Sequence, residues 1–333
     1  MKLGLALGYS GAVPEDNSDL ALTAEKLGYD SVWTAEAYGS DVFTPLAWIG
    51  AKTTKIKLGT GIAQISARTP AALAMTAATM DHLSGGRLIL GIGVSGPQVV
   101  EGWYGMPFPK PLARTREYVE IVNRIMRREG PVTNDGPNYP LPFRGGTGLG
   151  KPLKLTVHPL RPHIPIVLAA EGPKNVALAA EIADGWMPIF YSPYRGPEIF
   201  ADSLAGAAEG FQIPCVVTVN INDNLADALT LVKFFLAFYI GGMGAPEQNF
   251  HLNVIARMGF EDATRKVQEL FLSGDRNAAV QAVPDELADE ISLCGPPARI
   301  KERLEAWVKS PVTDMIVGSR DPAALKLMAD LLS

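Results

Sequence analysis

"LGIGVSGPQVVEGWYG", residues Leu90–Gly105, is the stretch on which the fold turns. Gly91, Gly93 and Gly96 spell G-x-G-x-x-G after an apolar run, the pattern of a dinucleotide-binding turn. That pattern needs a long helix directly after the third glycine and an acid on the next strand, about twenty residues on. Here Gly96 is followed by Pro97 and Gln98, then by Gly102, Gly105, Pro107 and Pro109, so only a short helical turn fits. Glu117, at the required spacing, falls inside a helix. Ser95 suggests the hydrolase elbow G-x-S-x-G, but Pro97 stands where that motif needs glycine. Two readings are left: a loop whose glycines let backbone N–H groups approach a phosphate or a flat ring, or a tight strand exit with no ligand.

Working outward, the loop sits at the end of a fourth strand in a repeating unit. "KLGLALG" (2–8) is a short apolar run closed by turn residues, and "DSVWTAE" (30–36), "KIKLGTGIAQI" (55–65) and "RLILGIGVS" (87–95) follow. Helical periods lie between them, with Thr44-Pro45 and Thr69-Pro70 as cap-and-proline entries and Gly28 and Gly85-Gly86 as exits. Strand starts recur near residues 3, 30, 57 and 87, a spacing suited to a βα step. Tyr118, Ile121, Val122, Ile125 and Met126 mark the fourth helix by their i, i+3, i+4 pattern. Residues 130–164 are then Gly- and Pro-rich and read as a long loop. "IPIVLAA" (164–170), "WMPIF" (186–190), "PCVVTVNI" (214–221) and "TDMIVGS" (313–319) complete eight strands, and 242–290 reads as a helical insertion. Eight continuously apolar strands, each followed by a helix, predict a single (β/α)₈ barrel over residues 1–333 rather than a doubly wound sheet.

Composition narrows the function classes. The 333 residues are 47% hydrophobic with a net charge of −5, and no basic block suggests nucleic acid. The opening "MKLGLALGYSGAV" lacks a signal-peptide pattern, and the apolar "VKFFLAFYIGGMG" is too short to span a bilayer, so a soluble, cytoplasmic protein with no membrane partner is expected. Cys215 and Cys294 stand alone in apolar runs, as buried thiols do. His82, His158, His163 and His251 are scattered and form no metal motif. A second loop, "AAEGPKNVALAAEIADGW", places Glu171-Gly172-Pro173-Lys174 at a helix N-terminus, where free N–H groups favour an anion. Tyr9, Tyr38, Trp103, Phe190 and Tyr191 each follow a strand and are candidates for an apolar substrate pocket, or for ordinary packing.

The stretches "EKLGYDSVWTAEAYGSD", "KLGTGIAQISARTP", "MDHLSGGRLILGIGVSGPQVVEGWYG", "AAEGPKNVALAAEIADGW" and "CGPPARIKERLEAW" together resemble the bacterial luciferase-like family. Within it, they are most similar to the deazaflavin (coenzyme F420)-dependent oxidoreductases related to methylenetetrahydromethanopterin reductase. The resemblance implies a TIM barrel, a homodimer and a tricyclic ring in the barrel mouth against Gly61, Ile62, Ala63 and Gln64, with a non-prolyl cis peptide at Gly61-Ile62. It implies a tail phosphate at Val94, Ser95, Gly96 and Gln98 and at Ala170, Glu171, Gly172, Pro173 and Lys174. The chain departs from the family where an acid-His pair ends strand two, since Glu36 is followed by Ala37. Val94 replaces a further acid, and strand one has none. Glu36 is therefore the expected catalytic group for moving a proton, or else a carboxylate that orients a loop. The expected activity is hydride transfer between F420 and a small organic substrate. An FMN-dependent monooxygenase and a non-catalytic cofactor-binding protein are the alternatives.

Overall fold

The computed structural model describes residues 1–244 and 249–332. Its strands are β1 (Lys2–Gly8), β2 (Ser31–Thr34), β3 (Lys57–Thr60), β4 (Ala63–Gln64), β5 (Leu88–Gly93), β6 (Ile166–Ala169), β7 (Gly185–Met187), β8 (Pro214–Ile221), β9 (Ser292–Gly295) and β10 (Asp314–Gly318). All pair in parallel, in the order β7-β6-β5-β3-β2-β1-β10-β8-β9, with β4 beside β5. The curl closes between β7 and the entry to β8: the Trp186 N–H donates to Gln212 O at 2.8 Å, and the Gln212 N–H donates to Asp184 O at 2.9 Å. Counting β3 and β4 as one interrupted position gives the eight-position barrel, with β9 added on the upper end of β8.

Some details follow expectation and others depart from it. The third strand is broken at Gly61-Ile62, where the peptide is cis as the family resemblance implies. β9 went unread, because four residues after a run of helices leave no periodic signal. Local entry signals were mixed. Thr69 does cap its helix, its hydroxyl accepting the Ala72 N–H at 3.2 Å. The helix read as starting at Thr44 starts at Phe43 instead, with the Asp41 carboxylate accepting the N–H groups of Phe43 and Thr44, both at 2.9 Å.

The barrel is filled, not hollow. Trp33, Ile89, Val167, Met187 and Ile316 pack inside it, with the partly buried Ala6 and Ile62 laid over them. Gly59 makes room for the indole, since a Cβ there would stand 2.3 Å from the Trp33 ring. The quoted glycines serve the same end. A Cβ on Gly91 would lie 1.8 Å from Thr60 O, and one on Gly93 would press Ala169 Cβ at 3.2 Å and Ile62 Cδ1 at 3.3 Å. Between residues 128 and 165 only isolated bridges occur, Val132 with Leu153 and Asn134 with Leu141. Over 242–290 the described residues are helical, and positions 245–248 of the expected insertion lie outside them.

These helices pack with Leu225–Gly242 into a second core around Leu229, Leu236, Ile255 and Val267. At 18 residues the Leu225–Gly242 helix does have spanning length, so the length argument against it fails. One of its faces is nevertheless buried against the helices that follow, and Lys233 Nζ pairs with Asp285 at 2.6 Å.

Candidate active site

In a parallel barrel the C-terminal strand ends share one rim, and side chains far apart in sequence meet there. The loops after β1 and β2 are fastened together: the Ser40 N–H donates to Ser10 O at 3.0 Å, and the Ser10 N–H donates to Ser40 Oγ at 2.9 Å. Tyr104, after β5, donates its hydroxyl to Ala37 O at 3.2 Å. The floor beneath these loops is Ile62, Ala6 and the packed interior.

Glu36 lies on this rim, but its carboxylate is fully engaged. Oε1 accepts from the Gln64 N–H at 2.8 Å and from Arg68 at 2.6 Å. Oε2 accepts from Arg68 at 3.0 Å and from the Val42 N–H at 3.2 Å. The side chain is 4% exposed, and the Gln64 amide also donates back to Glu36 O at 3.1 Å. With four acceptor positions filled by fixed donors, the carboxylate has no free lone pair for a substrate proton. This corrects the expectation that Glu36 carries the proton: it positions the β2 loop and β4. Arg68, which sequence reasoning missed, is its partner.

Gln64 is buried, and its Oε1 has no hydrogen-bond partner among the described residues. An orphaned buried acceptor beside Ile62 fits a ligand that brings an N–H to the rim. Ala63 is buried, Gly61 and Ile62 are half-buried, and a Cβ on Gly61 would meet Met187 at 3.4 Å. Val94, Ser95 and Gly96 are half-buried and Gln98 is exposed, at the start of the expected short helix, Pro97–Gly102. Ala170 is anchored through its carbonyl, which accepts from the Trp186 indole at 2.8 Å. Gly172 is the N-cap of helix Pro173–Ile182, and Pro173 and Lys174 are exposed.

Glu171 does not face outward as an anion site would require. Its Oε1 lies 2.8 Å from His251 Nδ1, at an angle short of hydrogen-bond alignment, and its Oε2 is buried without a partner. Its carbonyl accepts from Arg257 at 2.9 Å. Arg257 thus places a cation beside the Gly172–Lys174 turn, which sequence reasoning also missed. His251 stands edge-to-face with Tyr239 at 4.7 Å and with Phe190 at 6.2 Å. Burial raises the Tyr239 phenol above its ordinary value, and Tyr9, Glu171 and Tyr38, all within electrostatic reach, push the same way. Burial and then Tyr38 likewise raise Tyr9.

The five aromatic candidates therefore divide. Tyr9 and Tyr38 are partly exposed and share the rim with Tyr239. Phe190 is buried but forms one wall of the Tyr239–His251 cluster, with its backbone held at φ +55°. Tyr191 is a core residue, packed on Trp186, Phe200 and Trp307, so its pocket role is withdrawn. Trp103 is 65% exposed and makes no ring contact with the others. No cluster of three or more His, Cys, Asp or Glu able to hold a metal occurs among the described residues.

A family model for luciferase-like monooxygenases matches residues 2–314. The chain belongs to that family. Among its relatives, the Mycobacterium tuberculosis protein named "Putative coenzyme F420-dependent oxidoreductase" is 54% identical, over 98% of this chain and 99% of that protein. The 5,10-methylenetetrahydromethanopterin reductase of Archaeoglobus fulgidus is 31% identical, over 89% of this chain and 87% of its own. The coenzyme F420-dependent tetrahydromethanopterin reductase structure from Methanopyrus kandleri superposes with a TM-score of 0.76 at 24% identity, covering 98% of this chain and 97% of that one. The family barrel read from the strand pattern is thus the fold observed.

Proposed function

We propose that this protein is an oxidoreductase that moves a hydride between coenzyme F420 and a small organic substrate at the barrel mouth. The observation that carries the reading is the 54% identity to a protein of that description, held across 98% of the chain. The rim residues fit the cofactor. Ile62 and Ala6 are partly buried apolar surface packed on the barrel interior, Gly93 leaves room for the Ile62 side chain, and the buried Gln64 Oε1 has no partner among the described residues. The Lys174 N–H and its exposed side chain at the turn after Gly172, with Arg257 beside them, suit a tail phosphate. When bound, the deazaflavin supplies the carbon that gives or takes the hydride. This chain's part is to hold and orient, through the Glu36–Arg68 clamp on β4, and to border the substrate with Tyr9, Tyr38, Phe190 and Tyr239.

Anaerobic fluorescence titration tests the cofactor. F420 is expected to bind more tightly than FMN, and its reduced form to be oxidised by members of an aldehyde, ketone and enone panel without oxygen. Tighter FMN binding with oxygen uptake would replace this reading by the monooxygenase. Tight F420 binding with no turnover on any member would favour a non-catalytic cofactor protein.

A further inference from the structure

We propose that His251, partnered by Glu171, is the catalytic acid/base of this site; the inference rests on the hydride-transfer reading above. Reducing a polar double bond needs a proton as well as a hydride. At this rim the usual donors are gone: Ala37 and Val94 carry no titratable group, and Glu36 is saturated by Arg68, Gln64 and Val42. The phenols of Tyr9, Tyr104 and Tyr239 are all pushed above their ordinary value, chiefly by burial. Imidazole is the side chain whose ordinary range, near 6.5, suits giving and taking a proton at neutral pH.

His251 is built into place. Asn249, 3% exposed, caps the helix Phe250–Ile255 through its Oδ1, which accepts the Leu252 N–H at 2.9 Å. Its Nδ2 donates to Tyr239 O at 3.1 Å and to Ile240 O at 2.7 Å. One buried amide thereby locks the start of the helix that carries His251 to the end of the helix that carries Tyr239. Phe190 and Tyr239 then grip the imidazole edge-on. Nδ1 is buried against Glu171, whose own backbone is held by Arg257. Nδ1 being buried, the 20% of the side chain that stays exposed lies elsewhere on the ring, and Nε2 makes no hydrogen bond with any described residue.

An imidazole held by its ring neighbours, with a carboxylate 2.8 Å from one nitrogen and the other nitrogen without a partner among the described residues, is an arrangement that acid/base catalysis can use. It also gives Glu171 a part that the wrong sign of charge denies it at a phosphate. In the step, the hydride with its electron pair reaches the carbonyl carbon, and the C=O π pair moves to oxygen. That oxygen takes the proton from Nε2 of protonated His251. The cofactor is oxidised by two electrons, the substrate reduced by two, and the neutral imidazole regains its proton from water. Glu171 offsets the imidazolium charge, Arg257 opposes it across the Glu171 backbone, and Tyr239 and Tyr9 stay neutral.

The test uses the full chain with F420. Diethyl pyrocarbonate labelling, mapped by mass spectrometry, is expected to modify His251 in the free protein and to slow when F420 fills the mouth. His82 and His163, bonded at the far side to His158 O and Asp184, serve as controls that F420 leaves unchanged. His251→Asn is expected to bind F420 as the parent does while losing roughly 10²- to 10⁴-fold in turnover of reduced F420 on the carbonyl panel. Glu171→Gln is expected to lose part of that rate with His251 in place. Unchanged labelling of His251 in a protein that demonstrably binds F420, or full turnover by His251→Asn, overturns the assignment but leaves the functional reading standing. Failure of the parent protein to bind F420 at all overturns both.

Discussion

Replacing Glu36 by Gln tests whether this carboxylate holds the mouth together or moves a proton. The amide keeps the volume and one acceptor oxygen, which can stay with the Gln64 N–H and one Arg68 nitrogen. Its NH₂ then faces two donors, the second Arg68 nitrogen and the Val42 N–H, where Oε2 accepted at 3.0 and 3.2 Å. Breaking a buried ion pair by altering one partner costs about 3–5 kcal/mol. Arg68 is 19% exposed, so water relieves part of its loss, and about 2–4 kcal/mol is the expected cost. An unfolding entropy of about 2.1 cal/mol/K per residue gives a chain of 333 residues about 0.7 kcal/mol/K, so the melting temperature should fall by roughly 3–6 °C. Thermal unfolding by circular dichroism measures this, and Arg68→Met should cost a comparable amount without adding to it in the double variant. A melting point within about 1 °C of the parent, together with a turnover loss of about 100-fold, would refute the clamp and restore Glu36 as the proton carrier.

Two further expectations concern the frame of the site. Gly91→Ala should cost ~3 kcal/mol or more, at the upper end of overpacking, because its Cβ meets the Thr60 carbonyl rather than a movable side chain; Gly102→Ala, with nothing within 4 Å, is the control, and equal melting points for the two would contradict this account. Glu117 anchors the long loop by accepting from Asn134 at 2.7 Å, Asn138 Nδ2 at 2.6 Å and the Tyr139 N–H at 2.7 Å. Burial alone would raise its carboxyl, but these donors outweigh burial and hold it below the ordinary value. The stability it adds is therefore present above about pH 4.3 and is lost as the pH falls through the folded value, so hydrogen exchange at Asn138 and Tyr139 should rise in acid ahead of the barrel strands. Exchange at those amides that stays level with the barrel strands would show that Glu117 does not hold the loop.

Much of the barrel was legible because its signals are local. Strand runs such as "PCVVTVNI" and "KLGLALG" appear in the structure with the boundaries read from sequence, and Thr69 and Gly85 cap and close their helix as their chemistry directs. β9 was not legible, since four residues carry no period, and the helix entry read at Thr44 was displaced in the structure by Asp41, whose carboxylate accepts the Phe43 and Thr44 N–H groups.

At the site the division is sharper. The glycine loop after β5 stood out by its own residues, whereas Gly61-Ile62 and Glu36 were singled out by the family resemblance. What those residues do was decided by neighbours remote in the chain. Gly91 is small because the Thr60 carbonyl passes over it, and Glu36 is unavailable because Arg68 is 32 positions away in sequence and 2.6 Å away in space. His251 reads as an isolated histidine until Asn249 ties its helix to Tyr239 and brings it to Glu171, 80 positions earlier in the chain. Periodicity and turn chemistry act over a few residues, so the chain by itself determined where the rim would be. Ion pairs, orphaned acceptors and ring contacts form only when the barrel closes, so the tertiary structure alone decided which rim side chains are already engaged and which stay free for chemistry.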